Sequence, residues 1–280
     1  MKTDGRRKSS NVEDRRGRIG RGGAIAIGGG GLGIVGIILF LLLGGNPTDL
    51  IDKSATTQDQ PYVVNEEDRE LADFVSVVLA DTEDIWTELF QQEGLQYENP
   101  TLVLYTGQVE TACGYGSAAA GPFYCPGDRK LYIDLEFYNE LQSSFKAPGD
   151  FAMAYVIAHE VGHHVQTLLG ISDQVMPLRQ KLSEEEFNKY LVRFELQADY
   201  FAGVWAHHEK GRGYLEEGDL QEAMTAAGAV GDDTIQKRAR GYVVPESFTH
   251  GSAKQRIYWF EHGFKLGTIK GGDTFNQTEK

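Results

Sequence analysis

Residues 159–163, with the sequence His-Glu-Val-Gly-His, constrain this chain more than any other feature. They lie in an apolar stretch, Phe151–Leu169, whose length and composition predict a helix. Residues i and i+4 of a helix share one face, so His159 and His163 can direct both imidazoles at one ion. This spacing is typical of a zinc site, and Glu160 is placed to take a proton from a metal-bound water. The rest of the chain must then supply a third ligand.

The missing ligand is expected from a second helix. Ser183 and Glu186 have the spacing of a capping box, and the helix that they begin should run to Gly211. Glu195 and Asp199 lie four residues apart within it and point the same way. Antiparallel packing of the two helices would direct both carboxylates at the histidines. Glu195 is expected to bind zinc and Asp199 to accept the N–H of a ligating histidine. An exposed acidic pair is the alternative, and the apolar and small neighbours disfavour it.

His250 is a further candidate, because it precedes the last predicted helix at a loop junction. A hydrogen-bond donor there could stabilise the negative charge that grows on a carbonyl oxygen during amide hydrolysis. Arg256 could support His250 or bind a substrate carboxylate. A capping or core histidine and a helix-face arginine are the alternatives.

Other residues near the motif are excluded as ligands. His164 lies about 100° around the helix from His163 and should be a surface or packing residue. The metzincin pattern requires Gly and His where this chain has Gln166 and Leu169, so that class is excluded.

The charge is distributed unevenly. The chain has a net charge of −14, whereas residues 1–22 hold eight Lys/Arg and three Asp/Glu, a net of +5. The remainder therefore carries −19. An acidic body of this kind argues against nucleic acid as a partner, since that requires a basic surface.

An uncharged run of 22 residues, 24–45, is just long enough to cross a bilayer core as a helix. Basic residues precede it and acidic residues follow, which predicts a cytoplasmic N-terminus and a periplasmic or extracellular body. A cleaved signal peptide is the alternative, but the basic region is long and no clear cleavage site follows. Gly29 and Gly33 have GxxxG spacing, weak support for self-association through this helix.

The chain has two cysteines, Cys113 and Cys125. Eleven residues separate them, so they could close a short loop in an oxidising compartment. Two free buried thiols are the alternative.

Four blocks of sequence together suggest a family. They are, in chain order, CGYG…GPFYCPGDRKLYIDLEFY, HEVGHHVQ, RFELQADYFAG and THGSAKQRIYWF. This combination resembles the neutral zinc metallopeptidase family of YpfJ-like proteins over most of residues 1–266. More distantly, E-x-x-A-D-x-x-A after HExxH, followed by a T-H block, is similar to the gluzincins that include HtpX-like and CAAX prenyl proteases.

The resemblance implies Glu195 as the third ligand and Asp199 as its supporting partner. It also implies that His250 is the oxyanion-stabilising donor, with Arg256 nearby. The chain departs from the distant relatives at Gly251, where they have proline, and this puts the loop geometry there in question.

The predicted fold is α+β, a zincin-like (gluzincin) domain that is mostly helical with a small sheet and follows one transmembrane helix. The predicted organisation is a basic cytoplasmic arm (1–22), a transmembrane signal anchor (23–45), a linker (46–66), the metallopeptidase domain (67–268) and a flexible tail (269–280). Predicted helices outside the two described above span Glu67–Glu93, Asp219–Arg240 and Ser252–Lys265. Predicted strands are Thr101–Tyr105, Gly121–Tyr124 and Lys130–Leu135, the last as the sheet edge that receives an extended peptide.

The expected function is that of a zinc endopeptidase anchored in the plasma membrane through residues 23–45. One catalytic Zn²⁺ on His159, His163 and Glu195 would activate a water, with Glu160 as general base, to cut a peptide or protein. The alternative is a non-catalytic, membrane-tethered binding module with a structural or vestigial zinc site. The intact Glu160 disfavours it, because a structural site needs no base. Neither the substrate nor the oligomeric state can be deduced.

Overall fold

Helices make up most of the computed structural model, which describes residues 1–17 and 64–276. The helices are α1 (Glu66–Gln92), α2 (Glu136–Ser143), α3 (Asp150–Leu168), α4 (Ile171–Val175), α5 (Glu184–Gly211), α6 (Asp219–Ala229), α7 (Asp232–Arg240) and α8 (Ala253–Leu266). The strands are β1 (Val12–Asp14), β2 (Thr101–Tyr105), β3 (Gln108–Thr111), β4 (Gly114–Ser117), β5 (Phe123–Cys125) and β6 (Lys130–Asp134). The predicted α+β class with a small sheet is confirmed.

The helix boundaries follow mostly from local chemistry. Ser183 and Ser252 cap α5 and α8 through complete capping boxes, the first of them as predicted. Gly170 follows α3 in the left-handed conformation (φ +73°). Asp150 is the first residue of α3.

The single helix predicted over Asp219–Arg240 is wrong. The chain forms two helices, α6 and α7, with a break at Gly231. A Cβ on Gly231 would lie 2.4 Å from the backbone nitrogen of Ala253, so the chain passes very close to the start of α8. This close passage stops α6 and redirects the chain.

The main sheet has the order β1-β2-β6-β5. The first three strands are parallel, and β5 is antiparallel to β6, which it joins through a short turn. The predicted edge position of Lys130–Leu135 is therefore wrong, because β6 lies between β2 and β5. At this end of the sheet β5 is the edge. Strands β3 and β4 form a separate antiparallel hairpin.

Cys113, between β3 and β4, is bonded to Cys125 at the end of β5. The predicted disulfide is present, and it ties the hairpin to the edge of the main sheet. Closing a loop of this length contributes roughly 3 kcal/mol in the chain-entropy description.

Residues 1–17, part of the predicted basic arm (1–22), belong to the same folded unit as the domain. Strand β1 pairs with β2 in the register Val12 to Leu102. Arg6 forms ion pairs with Asp81 of α1 and Glu209 of α5, both of which are buried. The arm thus places one guanidinium between two buried carboxyl groups.

Glu83, also buried on α1, binds the next part of the arm. It accepts hydrogen bonds from Arg7, Ser9 and Asn11.

The predicted membrane segment, residues 23–45, lies outside the described residues, as does most of the linker. Within residues 1–17 and 64–276, the helices are too short or too polar for any of them to span a bilayer.

The prediction of a flexible tail from residue 269 is wrong as far as Asn276. Arg193 donates hydrogen bonds to the carbonyl oxygens of Thr274 and Phe275, and Gln197 donates to that of Gly272. Thr274 is buried. These side chains of α5 fasten the segment after α8.

Candidate functional site

The site forms where α3 and α5 approach each other most closely. Gly162 of α3 faces Ala198 of α5, and a Cβ on Gly162 would lie 2.9 Å from the carbonyl oxygen of Ala198. Only a residue without a side chain permits this approach. This close approach brings the acidic face of α5 against the histidines of α3, which lie within a turn of Gly162.

The predicted ligand set converges in three dimensions. Oε2 of Glu195 lies 3.2 Å from Nε2 of His159 and 3.4 Å from Nε2 of His163. One ligand atom from each residue lies within 4.8 Å of the other two. Two imidazoles and a carboxylate match the three-ligand set of catalytic zinc sites. The residues present therefore fit the predicted ion.

The charges of the site favour a cation. Burial disfavours ionisation of Glu195, but His163, His250 and His159 hold the pKa of this carboxyl well below its usual range. Burial likewise opposes a charge on His159, yet Asp199 and Glu195 raise its pKa to about 9. The pair of carboxylates thus stabilises positive charge at this position.

Asp199 orients His159 rather than adding a fourth ligand. Its Oδ1 lies 2.9 Å from Nδ1 of His159, which leaves Nε2 free to face Glu195. Tyr155, one turn before His159, donates a hydrogen bond of 2.5 Å to the same oxygen. Arg256 donates to both carboxylate oxygens, at 2.8 and 3.0 Å. Burial opposes ionisation of Asp199, but Arg256 and His159 lower its pKa to about 2.

Arg256 is held inside the site. Its buried guanidinium donates to Asp199, to Tyr155 and to the carbonyl oxygen of Val230. It therefore fixes the partner of His159, and its predicted contact with substrate stays a prediction. Tyr155 was not predicted, although its place four residues before His159 puts it on the same helix face.

Gln166 orients the second histidine and was not predicted either. Its Oε1 lies 2.8 Å from Nδ1 of His163. Its amide donates to the carbonyl oxygen of Phe194 and to Gln197 on α5. Gln166, whose presence excluded the metzincin pattern, thus orients a ligand. Its position three residues after His163 could have indicated this contact.

Asp232 fixes the loop that carries His250. Oδ2 of Asp232 accepts backbone hydrogen bonds from Thr249, His250 and Gly251, at 2.7 to 2.9 Å. Gly251 adopts φ +94°, which proline cannot adopt. Asp232 could not be identified from the sequence, because it acts across 18 residues of chain.

The side chain of His250 has one committed nitrogen and one free. Nδ1 lies 2.9 Å from the hydroxyl of Thr249, whereas the buried Nε2 has no hydrogen-bond partner. His250, His159 and Glu160 line one cavity. An unpaired buried nitrogen beside the site is what an oxyanion donor requires before substrate binds.

Glu160 is buried beside the ligands and lines the same cavity. Burial raises the pKa of its carboxyl, and His163 and His159 oppose that effect. A base with a raised pKa can both take and return a proton.

His164 points away from the site. It is fully buried between Tyr124 and the carbonyl oxygen of Glu98, which confirms the packing interpretation.

Comparison with known proteins agrees with this geometry. The sequence profile of the family described as "Putative neutral zinc metallopeptidase" matches residues 1–275. The chain is 45% identical to "Uncharacterized protein YpfJ" of Escherichia coli (strain K12), over 99% of this chain and 100% of that protein. It is 43% identical to "Uncharacterized protein Rv2575" of Mycobacterium tuberculosis, over 65% of this chain and 64% of that protein. No solved structure gives a significant match. The chain therefore belongs to this zinc metallopeptidase family.

Proposed function

We propose that the protein is a gluzincin-type endopeptidase in which His159, His163 and Glu195 hold one zinc ion. The observation that carries the proposal is the convergence of these three ligand atoms within 4.8 Å, beside the buried carboxyl of Glu160. Zinc, when bound, supplies a water of lowered pKa and polarises the carbonyl of the scissile bond.

The chain's own residues supply the proton transfers and the oxyanion contact. Glu160 takes the proton of the attacking water and passes it to the leaving nitrogen. His250, through the unpaired Nε2, donates a hydrogen bond to the carbonyl oxygen as it gains charge. Asp199 and Gln166 keep both ligand imidazoles in the tautomer that presents Nε2 to the metal.

The test uses the full chain, since residues 1–17 are part of the fold. Purified protein should bind about one zinc ion and cleave an unstructured protein, and a chelator should abolish both. Glu160→Gln should keep the zinc and lose cleavage by a factor of at least about 100. The control is Glu217→Gln, which removes an exposed carboxylate elsewhere. Full activity of Glu160→Gln would overturn the mechanism. Zinc binding with no cleavage of any peptide would favour the non-catalytic binding module.

We also propose that the chain associates with a membrane through residues 23–45. The support is the uncharged run of 22 residues in the sequence. The disulfide favours an oxidising compartment for the catalytic domain, in the periplasm or outside the cell. Because residues 1–17 pack on that domain, the arm and the zinc site share one compartment, so the proposal is one of membrane association and not of a single crossing.

A further inference from the structure

The cavity beside the candidate zinc site extends well beyond the residues assigned to the reaction. His159, Glu160 and His250 form part of its lining. Four apolar side chains form another part, and the proposed reaction has no use for them.

This apolar part of the lining is rigid. Phe137 and Phe145 line it from α2 and the segment after it, Val156 from α3, and Ile235 from α7. Each of these side chains is at most 8% exposed, so packing against the core holds the walls in place. An apolar concavity with fixed walls binds an apolar group without losing conformational entropy of its own.

The position of Val156 relates the cavity to the scissile bond. Val156 lies three residues before His159 and four before Glu160, on the same face of α3, so about one helical turn separates it from them. One turn is about 5.4 Å, whereas an extended peptide advances about 3.3 Å per residue. The side chain that reaches this wall therefore belongs to a residue directly adjoining the bond that is cut.

We propose that this cavity is the specificity subsite of the enzyme and that it selects a large apolar side chain, such as Leu, Met or Phe, next to the scissile bond. The inference rests on the proposed peptidase function, and it specifies which substrates that peptidase prefers.

Glu140 is the feature that could suggest a basic side chain instead. It lines the cavity from α2 and is half-buried. Burial raises the pKa of its carboxyl, and Asp134 and Glu136 raise it further. A raised pKa makes this carboxyl a weaker counter-ion for Lys or Arg. The other carboxyls that line the cavity, Asp232 and Glu160, are committed to the His250 loop and to the proposed reaction. The observations therefore favour an apolar side chain.

The first experiment is a set of peptides of one sequence that differ at the two residues flanking the cleaved bond. Leu, Phe, Ala, Lys and Glu are placed in turn on each side. At one of the two positions, kcat/KM should be highest for Leu or Phe and at least about tenfold lower for Ala. Equal rates for all five residues, or a preference for Lys, would overturn the subsite. Absence of any cleavage by the zinc-loaded protein would instead count against the peptidase function itself.

The second experiment fills the cavity. Val156→Phe should lower kcat/KM for the Leu peptide at least about tenfold and leave the Ala peptide within roughly threefold. Ile235→Phe, from the opposite wall, should do the same and replaces Val156→Phe if that variant does not fold. Leu95→Phe is the control, because Leu95 is exposed and does not line the cavity. Glu140→Gln should leave the ratio of Leu to Lys peptides unchanged. If kcat/KM fell by the same factor for the Leu and Ala peptides in the filled variants, the cavity would not select the side chain.

Discussion

Asp199 accepts a hydrogen bond of 2.9 Å from Nδ1 of His159, across the interface between α5 and α3. The bond fixes which nitrogen of the imidazole carries the proton, and so leaves Nε2 to face Glu195. Arg256 and Tyr155 hold the carboxylate in turn. The geometry of the metal site thus depends on a buried ionic network that reaches from α3 through α5 to α8.

Asp199→Asn should weaken zinc binding about 10- to 100-fold, because the amide cannot fix the imidazole as the carboxylate does. Competition with a chromogenic chelator measures the affinity. Asp173→Asn, at an exposed position on α4, is the matched control. Unchanged zinc affinity in Asp199→Asn would show that His159 is oriented by other contacts.

His250→Gln should lower kcat about 10²- to 10³-fold while zinc content stays the same, because the oxyanion loses a placed donor. Asp232→Asn should lower kcat less, through the loop that it holds. Steady-state kinetics and metal analysis of both variants check this. A rise in KM alone would place His250 in substrate binding rather than in catalysis.

Gly162→Ala should destabilise the fold by about 1–3 kcal/mol, since the new methyl group meets the backbone of Ala198 at 2.9 Å. Zinc affinity should fall as well, because α5 must move away from α3. Gly211→Ala is the control: it has open space and should be neutral or slightly stabilising. Denaturant unfolding compares the two, and equal stability would show that the helices can separate without cost.

The free energy of unfolding should decrease as the pH rises between the unfolded-state and the folded-state pKa of Asp81. Burial, and then Glu209, raise the pKa of Asp81 to about 8 against the opposing effect of Arg6, whereas the ordinary value is 3.8. Between these two pKa values the folded protein binds more protons than the unfolded chain, so the free energy of unfolding falls with rising pH. Asp81→Asn should flatten this slope from about pH 5 to about pH 8, whereas Asp84→Asn, at an exposed site, should not. Unfolding curves across this range decide it, and an unchanged slope in Asp81→Asn would assign the effect elsewhere.

The arm and the catalytic domain should lie in one compartment. Asp4→Cys and Glu217→Cys each place a thiol at an exposed position, while the native cysteines are bonded to each other. In intact cells, a membrane-impermeant thiol reagent should label both variants or neither. Labelling of one variant alone would show that the arm and the domain are separated by the membrane.

The sequence predicted what depends on local pattern. The i,i+4 spacings of His159, His163, Glu195 and Asp199, together with the capping boxes, were enough to assemble the metal site on two helices. The orienting partner Gln166 was within reach of the same reasoning, because it lies on the face of His163.

What the sequence did not predict depends on contacts between distant segments. Strand β1 has the sequence Val-Glu-Asp, which carries no strand pattern, and it forms through a partner strand about 90 residues later. The break at Gly231 is caused by Ala253, and the anchoring of His250 comes from Asp232. None of these contacts leaves a periodic pattern in the chain.

The docking of residues 1–17 also has a consequence for synthesis. The arm is translated before the other described segments, but its ionic partner Glu209 is made about 200 residues later. Contacts between segments so far apart form late in folding. As long as β1 is not docked, β2 is an open sheet edge that can pair with another strand. A nascent chain with an undocked arm is thus open to misassembly at β2.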